Sequence, residues 1–176
     1  MKFYCLANRT FRITVYPDNQ PKGMPMKLTR TTVLGPITIT VENDALTELE
    51  FGGGFENGAV PGIAGEAFVQ LDAYLAGRLK EFYLPLAPKG TPFMLRVWAE
   101  LLKIPYGQTR SYGEIARAIG NPGAMRAVGM ANNRNPIAII IPCHRVIGSD
   151  GRLVGYGSGL PLKEKLLALE ATYAGM

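Results

Sequence analysis

Histidine is almost missing from this chain: His144 is the one imidazole in 176 residues. Cysteine is nearly as scarce, with only Cys5 and Cys143, far apart in sequence. Two such thiols cannot build a disulfide framework. One His and two Cys also fall short of the four N/S ligands of a structural zinc site, so no structural zinc is expected. Long apolar runs are lacking as well. No stretch approaches the roughly 18 to 20 residues that a bilayer-crossing helix needs, which excludes a membrane span, and no membrane partner is expected. The opening MKFYCLANRTFRITVYPDNQ alternates apolar and polar residues and has no continuous apolar block of the secretory kind, so a cytoplasmic location is expected. Internal repeats and long low-complexity segments are absent too.

What is present suffices for folding. At 47% hydrophobic and 19% charged residues, the chain can bury the core of one ordinary domain or two small ones. The net charge of +5 is unevenly placed. Residues 1–90 hold nine Lys/Arg and nine Asp/Glu, whereas residues 91–176 hold ten against five. Residues 103–152 alone carry seven basic side chains against Glu114 and Asp150. A localised basic surface suits a nucleic-acid partner, although basic faces are often merely solvated.

The chain divides at LPLAPKGTP, near residues 88–90, where three prolines and a glycine break the pattern. Residues 1–26 read as an N-terminal extension without an assigned role, containing a candidate strand FRITVY and ending in the loop-like PDNQPKGMPM. Residues 27–89 read as a small α/β unit. Two alternating strand patterns flank an Asn43-Asp44 turn, and a helix follows with Phe68, Leu71, Leu75 and Leu79 inward and Gly77 near its end. Residues 90–176 are mainly helical. Thr91 caps and Pro92 opens a helix whose inner face is Phe93, Val97, Trp98 and Leu101. Ser111 and Glu114 form a capping box for a short helix with Ile115, Ala116 and Ile119 inward. After the GNPG turn comes AMRAVGMANN, a second short helix on which Ala127, Gly129 and Ala131 would let another backbone approach. The pair fits either a helix-turn-helix or an ordinary helical hairpin. PIAIII suits a buried extended segment that Pro142 ends and releases into a turn at Cys143. A glycine-rich loop leads to a final helix carrying Lys163, Leu166, Leu167 and Glu170 on one face.

Cys143 is the chemical candidate. A thiol of pKa near 8.5 needs a base or a positive field to ionise at neutral pH, and His144 and Arg145 follow it directly. Adjacent strand residues face opposite ways, so the thiol and imidazole meet only if Pro142 makes a turn or a water bridges them. Glu170, inward on the last helix, is the carboxylate available to fix the histidine tautomer.

IPCHRVIGSDGRLVGY resembles the active-site signature of the O6-alkylguanine-DNA alkyltransferases, also called methylated-DNA–protein-cysteine methyltransferases. The resemblance runs through residues 90–170, with Arg-Ala-Val-Gly, Asn-Pro and Gly-Tyr in order, and more loosely through residues 31–86. It implies an RNase H-like α/β N-terminal domain and a winged-helix-like C-terminal domain whose helix-turn-helix enters the minor groove. The implied activity is repair: an O6-alkylated guanine rotates out of duplex DNA and its alkyl group passes irreversibly to Cys143, once per molecule, in a monomer without cofactor. In that resemblance His144 is the base through a water, Glu170 orients it, and Asn135 holds the turn. Arg126 fills the space left by the rotated nucleotide, with Ala127 and Gly129 at the DNA. Tyr112 presses the backbone and protonates the departing guanine, assisted by Lys163. The carbonyls of Cys143 and Val146 and the amides around Tyr156, Gly157 and Ser158 take the base edge. Basic residues such as Arg110, Arg117 and Arg134 read as phosphate contacts or solvated charges.

The chain departs from the family pattern at Asn133-Arg134, at the Gly157-Ser158 order and at Lys165. Three rivals stand beside the resemblance. A non-catalytic sensor of alkylated DNA would carry tryptophan at the nucleophile position. A helix-turn-helix regulator leaves Glu170 and His144 unexplained. A cysteine hydrolase usually draws Cys and His from distant positions.

Overall fold

The computed structural model describes residues 24–54 and 62–175. FRITVY and Cys5 lie outside them. The chain forms two compact units, Met1–Lys89 and Gly90–Met176.

The first unit is a three-stranded antiparallel sheet, β1 (Met26–Thr32), β2 (Gly35–Glu42) and β3 (Ala45–Phe51), covered by helix α1 (Gly62–Leu75). Asn43 and Asp44 both take positive φ, 48° and 57°, as the two-residue turn between right-twisted strands requires. Ile37 and Ile39 of β2 point inward in alternation and meet Leu49, Phe68 and Leu71 in the core. Beyond α1 the chain returns along β3, where Leu46 and Ala87 anchor it through the bonds Leu46 N–H to Pro85 and Ala87 N–H to Leu46. Strand β1, MKLTRTT, is an addition to the two strands read from sequence: threonines supply its β-branched positions in place of aliphatic residues. The inner face of α1 also differs from expectation. Tyr74 is fully buried against Phe82, while Leu75 and Leu79 are half-buried because the helix ends at Leu75.

The second unit holds α2 (Pro92–Leu101), α3 (Tyr112–Ala118), α4 (Met125–Asn133) and α5 (Leu160–Tyr173). Thr91 accepts from the Met94 amide and caps α2, whose Val97, Trp98 and Leu101 are buried and whose Phe93 is half-buried. The Ser111–Glu114 capping box opens α3, with Ile115 and Ala116 inward and Ile119 half-buried at the end. Helices α3 and α4 pack on each other and on α2 as a helix-turn-helix, and the Trp98 indole N–H donates to the Ala131 carbonyl at 2.8 Å. Its sheet is reduced to two residues per strand: β4 (Arg110–Ser111) pairs in parallel with β5 (Val146–Ile147). That pairing sets the first residue of α3, Tyr112, beside the chain leaving the cysteine.

The expected extended run PIAIII is buried but not extended. It forms successive turns, with Ile139 at φ 69°. Asn135 replaces a strand partner: its Oδ1 accepts from the Ile137 amide at 3.0 Å and its Nδ2 donates to the Ile141 carbonyl at 2.7 Å. The three small residues of α4 do not make one face either. Ala127 is exposed, Gly129 is half-buried near Tyr112, and Ala131 is in the core. Helix geometry turns successive residues by about 100°, which separates i from i+2.

Candidate active site

Pro142 stops the turns and the chain enters a single 3-10 turn, Cys143–Arg145, all three residues buried. Side chains in such a turn are spread about 120° apart, so Cys143, His144 and Arg145 each address a different neighbour.

Cys143 is 4% exposed, yet its surroundings are polar. Asn135 Nδ2 donates to Sγ at 3.0 Å. Burial pushes the thiol up from its ordinary value, while the Asn135 bond, the Lys163 charge and the nearby Tyr156 hydroxyl pull it back. That hydroxyl has no hydrogen bond of ordinary geometry among the described residues; it acts on the sulfur by proximity. Its own ionisation is pushed up by burial and by the neighbouring thiol.

His144 is fully buried and its Nε2 lies 3.0 Å from Glu170 Oε1. Burial lowers the imidazole pKa, against the opposing pull of Glu170. Burial alone would raise the Glu170 carboxyl, but bonds from His144 and Arg145 and their charges outweigh it and hold the group at about 2. A carboxylate only accepts, so Nε2 carries the proton of this contact, and in the neutral ring that burial favours Nδ1 is the basic nitrogen.

Arg145 does not give the thiol its positive field, as the sequence suggested. Its Nε and Nη2 fork onto Glu170 at 2.7 to 3.1 Å, its Nη1 donates to the Ile104 carbonyl at 2.6 Å, and the guanidinium sits 5.7 Å from the Tyr106 ring centroid. A planar fork matches a carboxylate, so the cation goes to the acid and Lys163 supplies the field at sulfur. The Gly107 amide adds a third donor to Glu170 at 3.0 Å. Gly107 has φ 72°, and a Cβ there would stand 2.5 Å from that of Ala174.

On the other side, Lys163 is buried in α5 and donates to the carbonyls of Val146 at 2.5 Å and Val154 at 3.0 Å. Burial lowers its pKa, countered by Cys143. Its Nζ lies 5.9 Å from the Tyr112 ring centroid, and the Tyr112 hydroxyl donates to the same Val154 carbonyl at 2.9 Å. One carbonyl therefore joins lysine and tyrosine. Gly157 makes a close approach: a Cβ there would stand 3.0 Å from the Asn133 carbonyl, which would have to give by a few tenths of an ångström. Ser158 is exposed on the same loop, and Arg126 is exposed on α4. The structure thus gathers Cys143, His144, Glu170, Asn135, Lys163, Tyr112, Val146 and Tyr156, while Arg126 and Ala127 face solvent.

One site residue has a different role from the one read in the sequence, and another was not singled out there. Arg145 was read as a charge for the thiol, not as the clamp on Glu170. Asn132, buried in α4, donates from Nδ2 to the Cys143 carbonyl at 3.1 Å. Its signal was a polar residue beside core Ala131 and one turn beyond core Val128. Among the described residues no cluster of His, Cys, Asp and Glu could hold a metal ion, and no helix is long and apolar enough to cross a membrane.

Two family models match the chain: the 6-O-methylguanine DNA methyltransferase ribonuclease-like domain at residues 27–88, and the DNA-binding domain of the same proteins at residues 92–172. The methylated-DNA–protein-cysteine methyltransferase of Methanosarcina acetivorans is 53% identical over 146 residues, covering 79% of this chain and 94% of that one. Its namesake in Mycobacterium leprae is 54% identical over 147 residues, covering 78% and 87%. Among solved structures, Mycobacterium tuberculosis OGT in complex with DNA superposes with a TM-score of 0.77 at 50% identity, covering 84% of this chain and 93% of that one.

Proposed function

The chain belongs to the 6-O-methylguanine DNA methyltransferase family, and from that premise we propose that it repairs duplex DNA by moving the alkyl group of O6-alkylguanine onto its own Cys143, once per molecule. The observation that carries this reading is the polar setting of a buried thiol: amide donor, ammonium field and a histidine whose tautomer is fixed by a carboxylate.

An O6-alkyl group is inaccessible inside the duplex, so the nucleotide must be extruded, at a cost of roughly a few kcal/mol that is least for a damaged pair. Arg126 on the exposed face of α4 fills the gap, and the flanking Ala127 and Gly129 allow close approach to the minor groove. The extruded base lies against Tyr112 and the loop of Tyr156, Gly157 and Ser158, with the Cys143 and Val146 carbonyls at its edge. The Cys143 proton passes through a water to His144 Nδ1, and the imidazolium is stabilised by Glu170. Sulfur attacks the alkyl carbon in line, the carbon–O6 bond breaks, and its electron pair stays with guanine. Tyr112 delivers a proton to the leaving base and is resupplied from Lys163, the two sharing the Val154 carbonyl. The thioether is not reversed, so turnover ends there. Such a substrate is met where the genome is held, with which a cytoplasmic location is consistent.

Intact-mass measurement after incubation with an O6-methylguanine duplex tests the reading. Wild type gains one methylene per protein at Cys143, and Cys143→Ala binds without gaining mass. Wild-type binding with no mass gain would instead mark a lesion sensor, and catalytic turnover a hydrolase.

A further inference from the structure

Asn132 is 2% exposed in α4, and one of its two Nδ2 hydrogens goes to the Cys143 carbonyl at 3.1 Å. That bond sets the orientation of the amide, because the reverse one would oppose two oxygens. Oδ1 is then a buried acceptor that no donor among the described residues reaches, which makes this side chain a poor choice for stability alone. The same amide also meets Tyr112. The Tyr112 ring lies along α4: a Cβ on Gly129, one turn before Asn132, would stand 3.8 Å from its Cδ1 and Cε1. Burial and the neighbouring thiol push the ionisation of the Tyr112 hydroxyl up, and the Asn132 amide, donating to the phenolic oxygen, pulls it back.

A proton donor must aim its hydrogen at the base and then carry the charge left behind. The carbonyls of Val154 and Gly155, 2.9 and 3.3 Å from the Tyr112 oxygen, accept its hydrogen but cannot stabilise a phenolate. Lys163 stands 5.9 Å from the ring centroid and spends its bonds on the Val146 and Val154 carbonyls. The Asn132 amide supplies a hydrogen at the oxygen itself. We propose that Asn132 is a positioning residue for the acid step: its second Nδ2 hydrogen holds the Tyr112 oxygen, which frees the hydroxyl proton for the leaving base and stabilises the phenolate once that proton has gone. The proton moves from Tyr112 to guanine as the carbon–O6 bond breaks and its electron pair stays on the base, and Lys163 then reprotonates the phenolate. Because the first Nδ2 hydrogen holds the Cys143 carbonyl, one side chain of α4 keeps nucleophile and acid in register. This rests on the alkyl-transfer reading above.

Single-turnover methyl transfer from an O6-methylguanine duplex tests the proposal in wild type, Asn132→Leu, Tyr112→Phe and the double variant. With protein in excess the time constant is read separately from the amplitude, so a reduced folded fraction does not enter. Asn132→Leu should slow transfer by about tenfold when Tyr112 is present and by about twofold or less when it is already Phe. Methyl iodide, whose leaving group needs no proton, reads the thiol alone, and its rate at Cys143 should be nearly unchanged in Asn132→Leu. Asn132→Ala gives the same cycle with a smaller side chain. Equal slowing by Asn132→Leu in both backgrounds, or of both methyl donors, would show that the amide acts only on the cysteine turn and overturn the proposal. So would a Tyr112→Phe as fast as wild type. A wild type that takes no methyl from O6-methylguanine would refute the alkyl-transfer reading itself.

Discussion

The two units treat polar burial in opposite ways. In the first, the buried polar side chains among the described residues are Thr29, Thr40 and Thr47, small hydroxyls that bond within the sheet. Its charges stay outside in the pairs Arg30–Asp72, Lys89–Glu42 and Lys27–Glu48. The second unit buries His144, Arg145, Lys163, Glu170 and Asn132 around one sulfur. Buried ion pairs are poor stabilisers, since apolar replacements of similar volume are often neutral or better. Their presence marks where chemistry, not stability, set the sequence.

Breaking the buried pair should have the largest effect. Glu170→Gln leaves Arg145 without its counter-charge and should cost about 3 to 5 kcal/mol in urea unfolding. It should also slow methyl transfer by about a hundredfold by removing the carboxylate that fixes His144. An unchanged midpoint would erase the contrast between the units. Acid should give the next effect. The folded Glu170 pKa of about 2 lies below its ordinary value of 4.5, so its contribution is fully present above about pH 4.5. It is lost as pH falls toward 2, in all about 3 kcal/mol. Urea midpoints across that window should fall for wild type, and Glu170→Gln should lack that component.

A change in the first unit sharpens the comparison from the other side. Ile39→Val should cost about 0.5 to 1.5 kcal/mol and leave the single-turnover rate of folded protein unchanged. The smallest stability change belongs to exposed Arg126. Arg126→Ala should stay within about 0.5 kcal/mol of wild type yet weaken DNA binding and reduce its salt slope by about one, read by titration at several salt concentrations.

Much of this was legible in the chain. Thr91-Pro92, the Ser111–Glu114 box and Asn43-Asp44 are local signals in which a few adjacent residues dictate a cap or turn, and each formed as read. Glu170 was legible because helical spacing put it on the face of Leu166. The remainder needed tertiary information. β1 lacks aliphatic alternation and is held by pairing with β2. PIAIII has the composition of a strand, but the Asn135 amide supplies its hydrogen bonds and folds it into turns. Arg145 and Asn132 act through atoms distant in sequence, on Glu170 and on the Cys143 carbonyl, and nothing in their immediate neighbours announces the direction.

The lock on Glu170 joins three separate stretches: the loop that supplies the Ile104 carbonyl and the side-chain-free Gly107, then Arg145, then the acid itself. Neither Gly107, Arg145 nor Glu170 can be exchanged singly without stranding a charge or jamming a methyl group into Ala174. Drifting lineages should therefore keep Gly107, Arg145 and Glu170 together or replace them wholesale, and a library randomising these three positions jointly should return survivors that conserve their summed charge.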